Sequence, residues 1–88
     1  MVSAKVVVGS KVGLHARPAR LLVEAAGKQP VRVLIGRDGG KPVPADSILA
    51  VMSLGVGGGE EVVVSADGEG AERALEAITA LLAEDLDA

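Results

Sequence analysis

The 88-residue chain contains no cysteine and no aromatic residue. Without thiols, disulfide frameworks and thiolate metal sites are excluded, and the composition agrees with a reducing compartment. Without phenylalanine, tyrosine or tryptophan there is nothing for unpaired bases to stack on, and a formal net charge of −3 has the wrong sign for a polyanion, so no nucleic-acid partner is expected. No apolar run approaches the ~20 residues needed to cross a bilayer. The opening stretch "MVSAKVVVGSK" also lacks the apolar core and cleavage site of a secretory signal. These absences lead to the expectation of a cytoplasmic protein that does not insert into membranes. His15 is the only histidine. One imidazole without cysteine falls short of the usual three or four zinc ligands, so neither metal nor other cofactor is expected. Serines and acids exist, but nothing in their spacing sets a nucleophile and an orienting acid beside His15, which argues against a hydrolase.

What is present is apolar and small. Hydrophobic residues make up 49% of the chain, so the core has to be built from valine, leucine, isoleucine, alanine and methionine. The length fits a single domain over residues 1–88, close to the size at which burial only just outweighs chain entropy. Charge is unevenly distributed. Residues 1–44 carry eight basic residues against two acids, a balance of +6, whereas residues 45–88 carry Arg73 against ten acids, a balance of −9. If the basic residues share a face, His15 lies in a positive field that steers anionic partners toward it.

The pattern along the chain changes period several times. "VSAKVVV" at 2–8 alternates Val2, Ala4, Val6 and Val8 against Ser3, Lys5 and Val7, the period of a half-buried strand. From Pro18 to Ala26 the apolar positions Ala19, Leu22, Val23 and Ala26 follow helical spacing, with Gly27 available for a left-handed cap. "VRVLI" at 31–35 reads as a second strand, "RDGG" as a turn, and "KPVP" as a short third strand. Pro42 and Pro44 cannot donate to a ladder and place that strand at a sheet edge. A short helix is expected from Ser47 to Leu54, capped by Asp46 or Ser47. "GVGGG" is a bend into a fourth strand, "EEVVVSA", with Val62, Val64 and Ala66 on one face. Ala71, Ala74, Leu75, Ile78, Leu81 and Leu82 stripe the last helix. The order β-α-β-β-α-β-α, with amphipathic helices and a sheet apolar on one side, predicts an α+β fold of two layers.

"GLHARPARLL" at 13–22 puts the lone imidazole at the mouth of the first helix. With an ordinary pKa of ~6.5 an imidazole keeps one ring nitrogen with a free lone pair at physiological pH, and that nitrogen can attack a phosphoryl group. The first-turn NH groups and the positive helix end favour a phosphate by ~0.3–1 kcal/mol, and Arg17 adds a planar, permanently charged donor. Pro18 fits the first helical position, which makes Arg17 the cap. Proline elsewhere in the first turn costs no hydrogen bond either, which makes His15 the cap. Residue pattern alone also leaves His15 readable as a plain cap or loop residue. "GVGGGEE" is rejected as a phosphate loop because it lacks the lysine and following helix and runs into Glu60 and Glu61.

"GLHARPA", "SILAVMSLG" and the element order resemble the HPr family, the histidine phosphocarriers of the bacterial phosphoenolpyruvate-dependent sugar phosphotransferase system, over essentially the whole chain. The resemblance implies an open-faced β-sandwich, an antiparallel four-stranded sheet of order 1-4-2-3 with three helices on one face. It implies a phosphocarrier rather than an enzyme. His15 would accept a phosphoryl group on Nδ1 from enzyme I and pass it to an enzyme IIA component of a sugar permease. Arg17, with Ala16 and Pro18 at the helix start, would hold the phosphate. Ser47 matches a serine that an ATP-dependent HPr kinase modifies in some lineages for carbon-catabolite control, although helix capping accounts for it equally, and Asp46 opposes a second negative charge. Arg20, Ile48, Leu49 and Met52 would meet partners, with Val51 and Leu54 facing inward. By pattern alone, residues 48–52 read equally well as core. Val12 departs from the small polar residue usual in the family, and Arg20 from a less charged one. A relay implies a monomer meeting enzyme I, enzyme IIA and catabolite regulators transiently. The alternatives are a regulatory relative working through Ser47 and a passive interaction module.

Overall fold

Alternation at the amino terminus produces the first element of the computed structural model, which describes residues 1–86; residues 87 and 88 of the expected domain lie outside the described residues. In β1, Val2–Val7, the apolar residues Val2, Ala4 and Val6 turn toward the interior while Ser3, Lys5 and Val7 stay exposed. Strand β4, Glu61–Ala66, pairs antiparallel with it, Val6 opposite Val62 and Ala4 opposite Val64. Strand β2, Val33–Arg37, lies on the other side of β4, Ile35 opposite Val64. Valines at these positions suit the pleated, half-buried surface on which β-branched side chains pack well.

Strand β3, Val43–Pro44, pairs with β2 and completes the order β1-β4-β2-β3, so the prolines do sit at an edge. Strand β2 starts two residues later than the apolar run suggests. Val33 pairs with Ala66, the last residue of β4, and Val31 and Arg32 have no partner beyond it. Arg37 belongs to the strand rather than to the turn after it.

Helix α1, Ala16–Gly27, begins two residues before the expected Pro18. Its buried stripe of Ala19, Leu22 and Ala26 is the one set by helical spacing. Gly27 is not left-handed: the helix closes by tightening, with Lys28 donating to the Ala25 carbonyl at 3.2 Å and Gln29 to Ala26 at 3.2 Å. The Gln29 side chain adds a bond to the Ala25 carbonyl at 3.2 Å. Helix α2, Ile48–Ser53, is capped by Ser47, whose Oγ accepts from Ala50 N at 3.3 Å, so Ser47 and not Asp46 is the cap. Helix α3, Ala71–Ala83, buries Ala71, Ala74, Ile78 and Leu82, with Leu75 and Leu81 half-buried at the margins.

All three helices cover one face of the sheet. Leu22, Ile35, Val62, Val64, Ile78 and Leu82 fill the space between the layers. The opposite face is open. Lys5 of β1 reaches Asp38, in the turn after β2, at 3.1 Å across it.

Candidate functional site

The segment leading into α1 is fixed by backbone bonds to elements distant in sequence. Val8 N donates to the Glu60 carbonyl at 2.9 Å, and Gly59 N returns a bond to the Val8 carbonyl at 2.9 Å. Gly9 N donates to the Leu82 carbonyl at the end of α3 at 2.9 Å. Gly13 N turns back onto Ser10 O at 3.2 Å, and Leu14 N donates to Val56 O at 3.0 Å. Gly13 has φ +75°, and a Cβ there would collide with the Val56 carbonyl. Only glycine lets the two loops approach this closely. Leu14 is buried and pins the chain from below, so the next residue emerges at the surface.

That residue is His15, the N-cap of α1, with extended backbone (φ −129°, ψ 159°) and an exposed side chain. The ring makes no capping bond to the helix, so it is open to a visitor. Of the two caps open to sequence reading, the structure takes His15 and puts Pro18 in the first turn, where its missing NH costs nothing. Ala16 follows with φ +51°, the one non-glycine among the described residues in the left-handed region. Such a backbone costs on the order of 1–3 kcal/mol and persists only where the surroundings enforce it. Pro18 and Ala19 are buried immediately after, which provides that enforcement.

The surroundings of the ring are cationic. Arg17 and Arg20 are exposed, three residues apart and so on neighbouring positions of one helix face, and neither forms an ion pair among the described residues. No acid occupies the first turn of α1. An anion arriving at His15 thus meets free guanidinium groups and the positive end of a helix without a competing carboxylate on that turn.

Helix α2 packs against α1 and presents the apolar residues singled out by sequence. Leu49 is 80% exposed, Met52 41% and Ile48 39%, while Val51 is fully buried and Leu54 partly so. The division between outward and inward residues is the expected one. Val12 is also exposed. Ser47, half-buried, already uses its hydroxyl oxygen to cap α2, and Asp46 beside it is exposed.

The sequence reading missed what holds the loop between α2 and β4. Arg37 Nε donates to the Leu54 carbonyl at 3.0 Å, Nη2 to the Gly55 carbonyl at 2.6 Å, and Nη1 to Glu60 Oε2 at 2.6 Å. The other carboxylate oxygen of Glu60 accepts from Gly57 N at 2.6 Å. The guanidinium and the Gly57 NH hold the Glu60 carboxyl below the usual carboxylate range, and the carboxylate raises the arginine in turn. An NH of the glycine-rich loop is thereby filled by the protein's own carboxylate, a physical reason that "GVGGG" is no phosphate cradle. The signal was a glycine run closed by an acid, but its arginine lies 23 residues upstream of Glu60 and no local pattern links them.

The family profile PTS-HPr, described as the PTS HPr component phosphorylation site, matches residues 2–84. The chain is similar to the phosphocarrier protein HPr of Streptomyces coelicolor, 51% identical over 87 residues that cover 99% of this chain and 94% of that one. The crystal structure of a phosphocarrier protein HPr from Bacillus anthracis superposes with a TM-score of 0.86 at 42% identity, covering 92% of this chain and 95% of the other. The Bacillus subtilis catabolite repression protein Crh, described as a dimer with a swapping domain, superposes with a TM-score of 0.75 at 45% identity, covering 97% of each chain. That relative's dimeric state runs against the monomer expected from the sequence.

Proposed function

The chain belongs to the HPr family of phosphotransferase-system phosphocarriers, and from that premise we propose that His15 is the residue that carries the phosphoryl group. The lone pair of the unprotonated ring nitrogen, Nδ1, attacks phosphorus on phosphorylated enzyme I. A nitrogen–phosphorus bond forms on His15 as the bond to the donor group breaks, and the electron pair leaves with that group. The second transfer runs the same way onto a histidine of enzyme IIA, and His15 recovers its lone pair. Arg17 and the first-turn NH groups, including that at Ala16, neutralise the phosphate oxygens, with Pro18 holding the turn in place. Each contact is weak, about 0.3–1 kcal/mol for the helix end, as a carrier that has to unload requires.

The observation that carries this reading is an exposed imidazole, free of any capping bond, at a helix start flanked by unpaired Arg17. Arg20 with Ile48, Leu49 and Met52 forms the surface on which enzyme I and enzyme IIA dock in turn. Incubation with phosphoenolpyruvate and enzyme I should add one phosphoryl mass that brief acid removes and mild base spares, and His15→Ala should abolish it. No mass gain on the intact chain ends the proposal.

Similarity to Crh favours a second, regulatory use of Ser47. Its cap position offers a phosphate the start of α2, against the repulsion of Asp46. An acid-stable phosphate formed with ATP and an HPr kinase, retained in His15→Ala and lost in Ser47→Ala, is the expected signature. The relay needs only a monomer, and sedimentation at micromolar concentration distinguishes it from the dimer that the relative forms.

A further inference from the structure

The loop from Leu54 to Glu60 is rich in glycine, its side-chain packing rests on buried Val56 and partly buried Leu54, and it carries the carbonyl that fixes the entry to His15. Val56 O accepts from Leu14 N at 3.0 Å, one residue before the histidine. The loop is gathered by Arg37 from β2, which spends its three nitrogens on the carbonyls of Leu54 and Gly55 and on Glu60, while Glu60 holds Gly57 N. A lone exposed ion pair contributes little, and these side chains are 42% and 43% exposed. Here the pair is part of a four-bond network whose acceptors and donor bracket Val56 on both sides, at Gly55 and Gly57. The guanidinium's planar fork allows this, whereas an ammonium at the same place reaches one acceptor well.

We propose that Arg37 and Glu60 are positioning residues for phosphoryl transfer: their clamp sets the height of the Val56 carbonyl, through it the Leu14 amide, and so the placement of the His15 ring relative to the docking surface on α2. The inference rests on the reading of His15 as the phosphoryl acceptor. Because neither residue lies in the proposed docking surface, loss of the clamp shows in the turnover step rather than in association. Misplacement of a reacting group by about 1 Å costs up to ~10²-fold.

The test compares the intact chain with Arg37→Gln, Arg37→Lys and Glu60→Gln as substrates of enzyme I and phosphoenolpyruvate. Lys5→Ala, which breaks a more exposed ion pair to Asp38, the residue next to Arg37, without touching the four bonds of the clamp, is the control. For Arg37→Gln we expect kcat lowered by about 10-fold or more with KM within about 2-fold, and faster exchange of the Leu14 amide proton while the Ile78 amide, in the core, is unchanged. Arg37→Lys should stay impaired because charge without the fork does not rebuild the network. Glu60→Gln, whose single amide oxygen can accept from Gly57 N or from Arg37 but not from both, leaves Arg37 its bonds to the Leu54 and Gly55 carbonyls and should fall between. A kcat in Arg37→Gln equal to that of Lys5→Ala, or a loss matched by equal exchange at Ile78, overturns the positioning role. Failure of the unmodified chain to be phosphorylated at all overturns instead the reading of His15.

Discussion

Ala16 carries the backbone strain of the site. Its φ of +51° is a conformation that alanine adopts at a cost and glycine adopts freely. Ala16→Gly should therefore stabilise the chain, by about 0.5–1 kcal/mol once the greater freedom of glycine in the unfolded chain is subtracted. Urea unfolding measures this, and a midpoint that falls would mean the left-handed turn is not strained. Glu60 supplies a second test at this scale. Its carboxyl is held below the ordinary value by Arg37 first and by the Gly57 NH second. A depressed carboxyl contributes stability that is complete above the unfolded value of ~4.3 and is lost as pH falls through the lower folded value. The difference in urea midpoint between the chain and Glu60→Gln should thus be full at neutral pH and close progressively below about pH 4. A gap that stays constant into acid would show that the carboxylate is not what holds the loop.

The two glycines at the ends of the site's supporting elements have opposite roles, although the sequence shows them alike. Gly27 ends α1 in helical conformation with open space where a Cβ would stand, so Gly27→Ala should stabilise by about 0.5–1 kcal/mol. Gly13 combines φ +75° with the Val56 carbonyl where a Cβ would go, so Gly13→Ala should cost about 2–4 kcal/mol. Thermal unfolding of both variants checks the pair, and equal effects would contradict the loop contact. The same contrast shows what could be read in advance. Strand and helix periods were legible at β1, β4 and α3 because burial there follows the residue spacing directly. The shortness of α2 says that some of its apolar side chains stay exposed, but pattern alone reads 48–52 equally well as core, and it was the family resemblance that singled out Ile48, Leu49 and Met52. The start of β2 and the Arg37–Glu60 clamp were not legible, because each is decided by a partner far along the chain: the end of β4 for Val31 and Arg32, and the α2–β4 loop for Arg37. Helix α1 closes through local bonds of Lys28 and Gln29 that a glycine at position 27 does not announce.

Across the whole molecule the net charge is −3, yet the surface around His15 carries Arg17 and Arg20 with no acid in the first helical turn. The halves of opposite sign noted in the sequence are not separate faces, since Arg37 of the first pairs with Glu60 of the second, and the absence of acids is local to the first turn of α1. Its cationic start stands beside an apolar patch whose exposed members carry no charge. Such a surface divides its work: the patch supplies area removed from water, which salt hardly weakens, and the arginines supply attraction that salt screens within ~8 Å at physiological ionic strength. If both serve enzyme I, the two kinds of substitution separate on a salt titration. Raising sodium chloride from about 0.05 M to about 0.5 M should lower kcat/KM for phosphorylation of the intact chain, mostly through KM. Arg20→Ala should start lower and lose part of that salt dependence, because one screened interaction has gone. Leu49→Ala, which removes the most exposed side chain of the patch, should start lower with the slope unchanged. Parallel slopes for all three proteins would mean that Arg20 does not meet the partner, and a reduced slope for Leu49→Ala would mean that the patch acts by positioning charge rather than by burial.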